Sequence, residues 1–283
     1  MFSSAPRPLG ARSTRRLLCS PSAWVGAVLV MAFVVGGLLA PKLAPYGPYE
    51  ISAVGAQPPS GTHLLGTDNL GRDLLSRVLY GTRISFGVGL VSIGLAMVVG
   101  VPAGSLAGYF GGWVDTLVMR GIDVLMALPG ILLAIIIWAV LGPGVVSIVI
   151  AVGVINIPIF ARQMRASVLG VRRHDYVVAA RAAGAPTRHI LLWVVLPNVV
   201  SPIIVLSTLG LGTAILEAAG LSFLGLGGEP NLPEWGNMLA TTRDYFLSGP
   251  WMVLAPGAAI SLAIPGFNLL GDALRDALDP HLK

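Results

Sequence analysis

The sequence predicts an all-α polytopic membrane protein with six transmembrane helices. Two features of composition and one of pattern carry this. Of 283 residues, 55% are apolar and only 11% charged, against roughly a quarter charged in soluble domains. Mean hydropathy is +0.81, more apolar surface than a soluble core can enclose. The apolar residues also gather in six runs, each near the ~20 residues needed to cross the hydrocarbon core.

Taken in order, residues 1–22 hold Arg7, Arg12, Arg15 and Arg16 and read as a basic tail. The first span is expected at 23–41. It is too long for the apolar stretch of a cleavable signal, and no small-residue cleavage site follows, so it reads as a retained helix. Cys19, at its head, is the one cysteine, which excludes a disulfide framework within the chain. The bulky Leu18 before it argues against a lipoprotein cleavage site.

The segment 42–83 opens with Pro, Tyr and Gly turns. It closes on Leu70, Leu74, Leu75, Val78 and Leu79 at helical spacing, with Arg72, Asp73, Ser76 and Arg77 elsewhere on the wheel. That pattern predicts a helix at the membrane surface, with Asp73 and Arg77 four apart and able to pair. With the first span it makes a unit over 23–83.

The remaining spans are expected at 84–108, 118–141, 144–163, 198–220 and 251–271, inside a transmembrane core over 84–275. In the second span Gly100, Gly104 and Gly108 recur every four residues, a ridge that lets another helix approach closely. Within 164–197, an Ala-rich helix former at 176–183 is broken by Gly184-Ala185-Pro186. A second short helix then runs to Leu196-Pro197, so the segment predicts a protruding knob. The connection 221–250 is rich in Gly and Pro and carries Glu229, Glu234, Trp235 and Asp244. Residues 276–283 form the C-terminus.

Orientation follows from the basic residues. With the N-terminus inside, inner segments hold 13 of the 18 Lys and Arg and outer ones hold 5, which predicts both termini in the cytoplasm. The net charge of +5 is therefore a topology signal, and nucleic-acid binding is not expected. Only Lys42 and Lys283 are lysines, and neither follows a Gly-rich phosphate-binding loop, so no ATP cradle is expected here. His63, His174, His189 and His281 show no metal-ligand spacing. No HExxH, CxxC or GxSxG occurs, which leaves a membrane-embedded enzyme without its nucleophile, base or metal cluster.

Ionisable groups inside spans cost roughly 2.5–3.5 kcal/mol at the bilayer centre. Glu217 in the fifth span and Asn156 in the fourth therefore read either as a pair of groups facing a water-filled path or as an interhelical hydrogen bond. Asn268 and Asp272 close the sixth span. Arg120 and Asp123, three apart, suit a structural pair.

The knob reads Val178-Ala179-Ala180, three residues, Gly184, nine residues, Val194, one residue, Leu196-Pro197. This resembles the EAA loop of ABC-importer permeases: Glu-Ala-Ala, three residues, Gly, nine residues, Ile-x-Leu-Pro. Here Val178 stands for the family's Glu and Val194 for its Ile. Further blocks resemble the C-type subunit of dipeptide, oligopeptide and nickel transporters. They are His63 to Asp73 with Ser76-Arg77 and Gly81-Thr82-Arg83; Leu221 to Gly227; Pro233 to Gly236; and Phe267 to Asp272 with Leu274-Arg275-Asp276 and Leu278-Asp279-Pro280.

The resemblance implies a type I ABC-importer transmembrane domain in the bacterial inner membrane, and a non-catalytic subunit whose ATP and Mg are bound by a partner. Its implied partners are a second, B-type permease subunit, one or two ATPase subunits, an extracytoplasmic substrate-binding protein and the bilayer. The knob, through Ala179, Ala180, Arg181, Gly184, Ala185, Leu196 and Pro197, would dock on the ATPase. Glu229, Glu234, Trp235 and Asp244 would meet the binding protein, and Glu217 and Asn156 would line the path. Di- or oligopeptides are the expected solutes, with nickel or glutathione-like compounds as the alternative. A stand-alone channel or secondary transporter would instead need charges near the midplane on broken helices, and would leave the knob without a purpose.

Overall fold

The computed structural model describes residues 20–278. The tail arginines, Cys19, Asp279, Pro280, His281 and Lys283 lie outside the described residues. The described residues form nine principal helices: α1 (Pro21–Leu38), α2 (Leu74–Phe110), α3 (Gly112–Ala127), α4 (Gly130–Leu141), α5 (Val145–Val171), α6 (Asp175–Ala182), α7 (Thr187–Leu226), α8 (Trp235–Thr242) and α9 (Trp251–Leu278). Among the described residues β structure is limited to two isolated bridges, Ile51 with Arg72 and Thr67 with Asp73.

Helices α1, α2, α5, α7 and α9 are each long and apolar enough to cross a membrane. The apolar pair α3–α4, bent by 90°, makes the sixth when the two are taken as one broken span. The expected straight span at 118–141 is thus corrected. Leu128 is extended (φ −96°, ψ 134°), as the ring of Pro129 disfavours helix at the residue before it.

A second correction concerns the expected surface helix. It is the first turns of α2, which runs unbroken for 37 residues, about 55 Å. Asp73 caps it, its Oδ2 accepting from Ser76 N at 2.8 Å.

The ridge of small residues on α2 packs on α5. A Cβ on Gly100 would lie 2.8 Å from the Ile157 carbonyl oxygen, one on Gly108 2.9 Å from that of Arg165, and one on Gly104 against that of Ala161. Only glycine permits this approach, so α2 and α5 form the central seam. Phe160, Met164 and Val168 are buried there. A second core at one end gathers Leu74, Ile215, Trp235, Met252 and Phe267. Counting crossings places the 111 and 172–195 connections at one end of the bundle. The connections 39–73 and 222–250 lie at the other, the far end.

Candidate functional site

The knob is built by a local backbone rule. Helix α6 ends in a Schellman motif: Ala185 N–H donates to Ala180 O (3.1 Å) and Gly184 N–H to Arg181 O (3.0 Å). This puts Gly184 at φ +78°, a conformation favouring glycine. Pro186 then starts a new direction. Val177, Ile190 and Val195 are fully buried and hold α6 against the start of α7. Outside this small core, Ala179, Arg181, Gly184 and Pro197 are exposed, and Ala180, Ala185 and Leu196 are half-buried. The exposed rim also carries Val178 and Trp193. Pro197 cannot donate a helical hydrogen bond, and a π-helical turn over Ile190–Val195 ends two residues before it.

Arginines anchor the knob to the rest of the bundle. Arg172 Nη1 donates to Gly108 O (2.9 Å) and Tyr109 O (3.4 Å), carbonyls at the end of α2, where a cation is favoured. The Arg181 guanidinium lies 5.6 Å from the Tyr109 ring. On α5, Arg165 makes a bidentate pair with Asp115 (2.5 and 2.6 Å), and Arg162 donates to Asp123 at 2.8 Å. The expected Arg120–Asp123 pair is therefore corrected: Asp123 faces the neighbouring helix, where Arg162 gives a better-directed donor than a residue on its own helix.

The far end is held quite differently, by buried charge. Asp68 accepts from Leu70 N, Arg72 N and Arg72 Nε (2.9, 3.0 and 2.6 Å), and lies 3.6 Å from Arg77 Nε. Arg72 Nη1 reaches Asn231 Oδ1 (3.1 Å). Arg77 donates to Pro48 O (2.9 Å) and Asn231 O (3.3 Å). Asp73 pairs with His63 Nδ1 at 3.0 Å, not with Arg77 as the spacing suggested, because its other oxygen is engaged in capping α2.

Glu234 caps α8, accepting from Gly236 N (2.9 Å) and Asn237 N (2.8 Å), and Trp235 Nε1 donates to Val78 O at 3.1 Å. Burial pushes the Glu234 carboxyl above its ordinary 4.5, against the pull of these backbone hydrogen bonds. Arg77 and Trp235 are 1% and 0% exposed, and Glu234 5%. Glu234 and Trp235 are thus corrected as binding-protein contacts: they are spent on packing and capping. Glu229 and Asp244 are exposed, and Glu229 lines a cleft of about 540 Å³ between the 141–147 and 227–232 segments.

Between the two ends, Asn156 Nδ2 donates to Glu217 Oε2 at 2.7 Å and to Val152 O at 2.9 Å. Asn156 is buried and Glu217 half-buried, so α5 and α7 bring together the two polar groups expected to share a site.

Residues 100–283 match the family described as binding-protein-dependent transport system inner membrane component. Residues 9–62 match the N-terminal TM domain of oligopeptide transport permease C. The dipeptide transport system permease protein DppC of Alkalihalophilus pseudofirmus is 45% identical over 92% of this chain and 86% of its own length. The di/tripeptide permease DppC of Pseudomonas aeruginosa is 45% identical over 91% and 88%. The glutathione transport system permease protein GsiD of Pectobacterium atrosepticum is 48% identical over 80% and 75%. Among solved structures, a chain of the inward-facing MetNI methionine ABC transporter aligns over 72% of this chain and 97% of its own, with a TM-score of 0.60 and 19% identity, which is a likeness of fold.

Proposed function

The chain belongs to the family of binding-protein-dependent transport system inner membrane components, and from that premise we propose that it forms half of an ATP-driven import path for di- and oligopeptides. It is a transmembrane permease with a type I ABC-importer fold. In this reading a B-type permease subunit supplies the other half of the path. One or two ATPase subunits bind ATP and Mg, and a separate binding protein delivers solute at the far end. Both termini and the knob face the cytoplasm.

One observation carries the coupling role: the bent knob presents small exposed residues around a capped glycine corner. Ala179, Gly184 and Pro197 add almost no side-chain bulk, so a partner can approach the backbone closely. Ala180, Ala185 and Leu196 transmit its push to Val177, Ile190 and Val195, and through them into α7. Arg181 is the one charged group among the proposed contacts. Glu217 and Asn156 face the path, and Glu229 and Asp244 are the exposed acids offered to the binding protein.

The test is reconstitution of the chain with its partner permease, ATPase and binding protein. ATP-dependent uptake of a dipeptide is expected. Gly184→Leu should keep ATP hydrolysis while losing uptake. No dipeptide uptake by the complete assembly, or normal uptake by the variant, would overturn the reading. Glutathione is the second solute to assay, on the strength of the GsiD likeness.

A further inference from the structure

We infer that the Glu217 carboxylate is a transient counter-ion for the free α-ammonium group of the solute, which makes Glu217 a specificity-determining residue of the path. The inference rests on the peptide reading above and names the solute group that this chain recognises.

Glu217 is set apart from the other acids in the spanning helices. Asp115 and Asp123 are neutralised by Arg165 and Arg162, and Asp272 and Asp276 lie within the last seven residues of α9. Glu217 has no cationic partner among the described residues, and Asn156 is its one hydrogen-bond partner there. That partner sits eleven residues inside α5 from Val145, about 17 Å along the axis, well within a bilayer core of ~30 Å.

The face around Glu217 is uncrowded in the single chain. On the same face of α7, Thr213 and Gly220 are exposed one turn to either side. A Cβ built on Gly220 would meet nothing within 4 Å. Asn156 donates to both Val152 O and Glu217 Oε2, which fixes one carboxylate oxygen and leaves the other with free acceptor positions.

A carboxylate so placed is costly against hydrocarbon. It is tolerated on a wetted path, and a passing cation lowers that cost further. Dipeptides, tripeptides and glutathione differ in side chains and length but share a free α-ammonium, largely protonated at neutral pH. Three N–H donors on a compact charge suit one open carboxylate oxygen plus water. The negative carboxylate end of the same solute is repelled, so the solute would pass with its amino end towards α7.

The experiment uses the complete membrane complex with the binding protein omitted, so that recognition by that protein does not intervene. Affinities of Ala-Ala and N-acetyl-Ala-Ala are compared in the wild type, Glu217→Gln and Glu217→Asp. The wild type should prefer the free amine roughly tenfold, the scale of one charge-assisted hydrogen bond. Glu217→Gln, which keeps the acceptor for Asn156, should lose that preference, and Glu217→Asp should retain part of it. A preference unchanged in Glu217→Gln, or no preference in the wild type, overturns the inference. Uptake of Ala-Ala with the binding protein restored separates the two claims: a complex that imports it without discriminating at Glu217 refutes this inference alone.

Discussion

The two ends of the molecule are built on opposite principles. At the far end, Asp68, Arg72, Arg77, Asp73, His63 and Glu234 are buried and tie residues 48–77 to residues 231–237. At the knob, three buried apolar side chains and a backbone cap hold the corner, and the exposed rim is mostly small or apolar. Buried charge fixes geometry but tolerates no missing partner. A capped, sparsely packed knob gives way more easily and leaves its outer surface free. Loss of stability is therefore the expected signature of far-end substitutions, and loss of coupling that of knob substitutions.

The sharpest contrast is between two arginines. Arg77→Ala removes donors from Pro48 O and Asn231 O and leaves Asp68 with one cation fewer. A loss of about 3–5 kcal/mol is expected, read as a collapse in the thermal midpoint or the yield of membrane-inserted protein. Arg181→Ala, at the exposed knob, removes only the contact with the Tyr109 ring and should lower the midpoint far less. Equal sensitivity at the two sites would break the comparison.

Two glycines with nearly the same backbone angle sharpen it further. Gly71 (φ +79°) and Gly184 (φ +78°) share the left-handed conformation. A Cβ on Gly71 would run into the Ala53 carbonyl, whereas one on Gly184 meets nothing within 4 Å. Gly184→Ala should cost only the conformational strain, about 1 kcal/mol. Gly71→Ala adds a backbone clash and should cost at least twice as much. Denaturation of the two purified variants side by side checks the order.

The smallest effect is a pH slope. The raised Glu234 carboxyl holds its proton more tightly folded than unfolded. Its contribution to stability is full below the ordinary value of 4.5 and is lost as pH rises through the raised folded value. Thermal midpoints of the wild type minus Glu234→Gln should fall as pH increases over that window. A flat difference would mean that the hydrogen bonds to the carboxylate balance burial, and a rising one that they outweigh it.

The contrast also explains what was legible in the sequence. The knob is local: Ala179, Gly184, Leu196 and Pro197 lie within one loop, and a break of Gly-Ala-Pro between two helix formers announces a corner. Long apolar runs likewise announce α1, α5 and α9. The far end is assembled from residues more than 150 positions apart, such as Arg77 with Asn231 and Trp235 with Val78, and spacing along the chain carries no trace of such pairs. Helical spacing proposed Asp73 for Arg77 and Arg120 for Asp123, and tertiary geometry chose otherwise in both. One missed feature did leave a signal: Leu128-Pro129 lies inside an apolar run, and the residue before proline marks a helix boundary. The capping role of Glu234 was hidden because a carboxylate ahead of a short helix looks, in sequence, like any acidic loop residue.

Site-specific cross-linking tests the central claim most directly. In a Cys19→Ser background, Ala183→Cys on the knob and Ser248→Cys at the far end place single thiols at exposed positions of opposite ends. In membranes holding the complete transporter, the thiol at 183 should cross-link to an ATP-binding subunit and resist an impermeant maleimide added outside, while the thiol at 248 should react with that maleimide. Labelling at 183 from outside, or the absence of any cross-link to an ATP-binding subunit, would contradict the account.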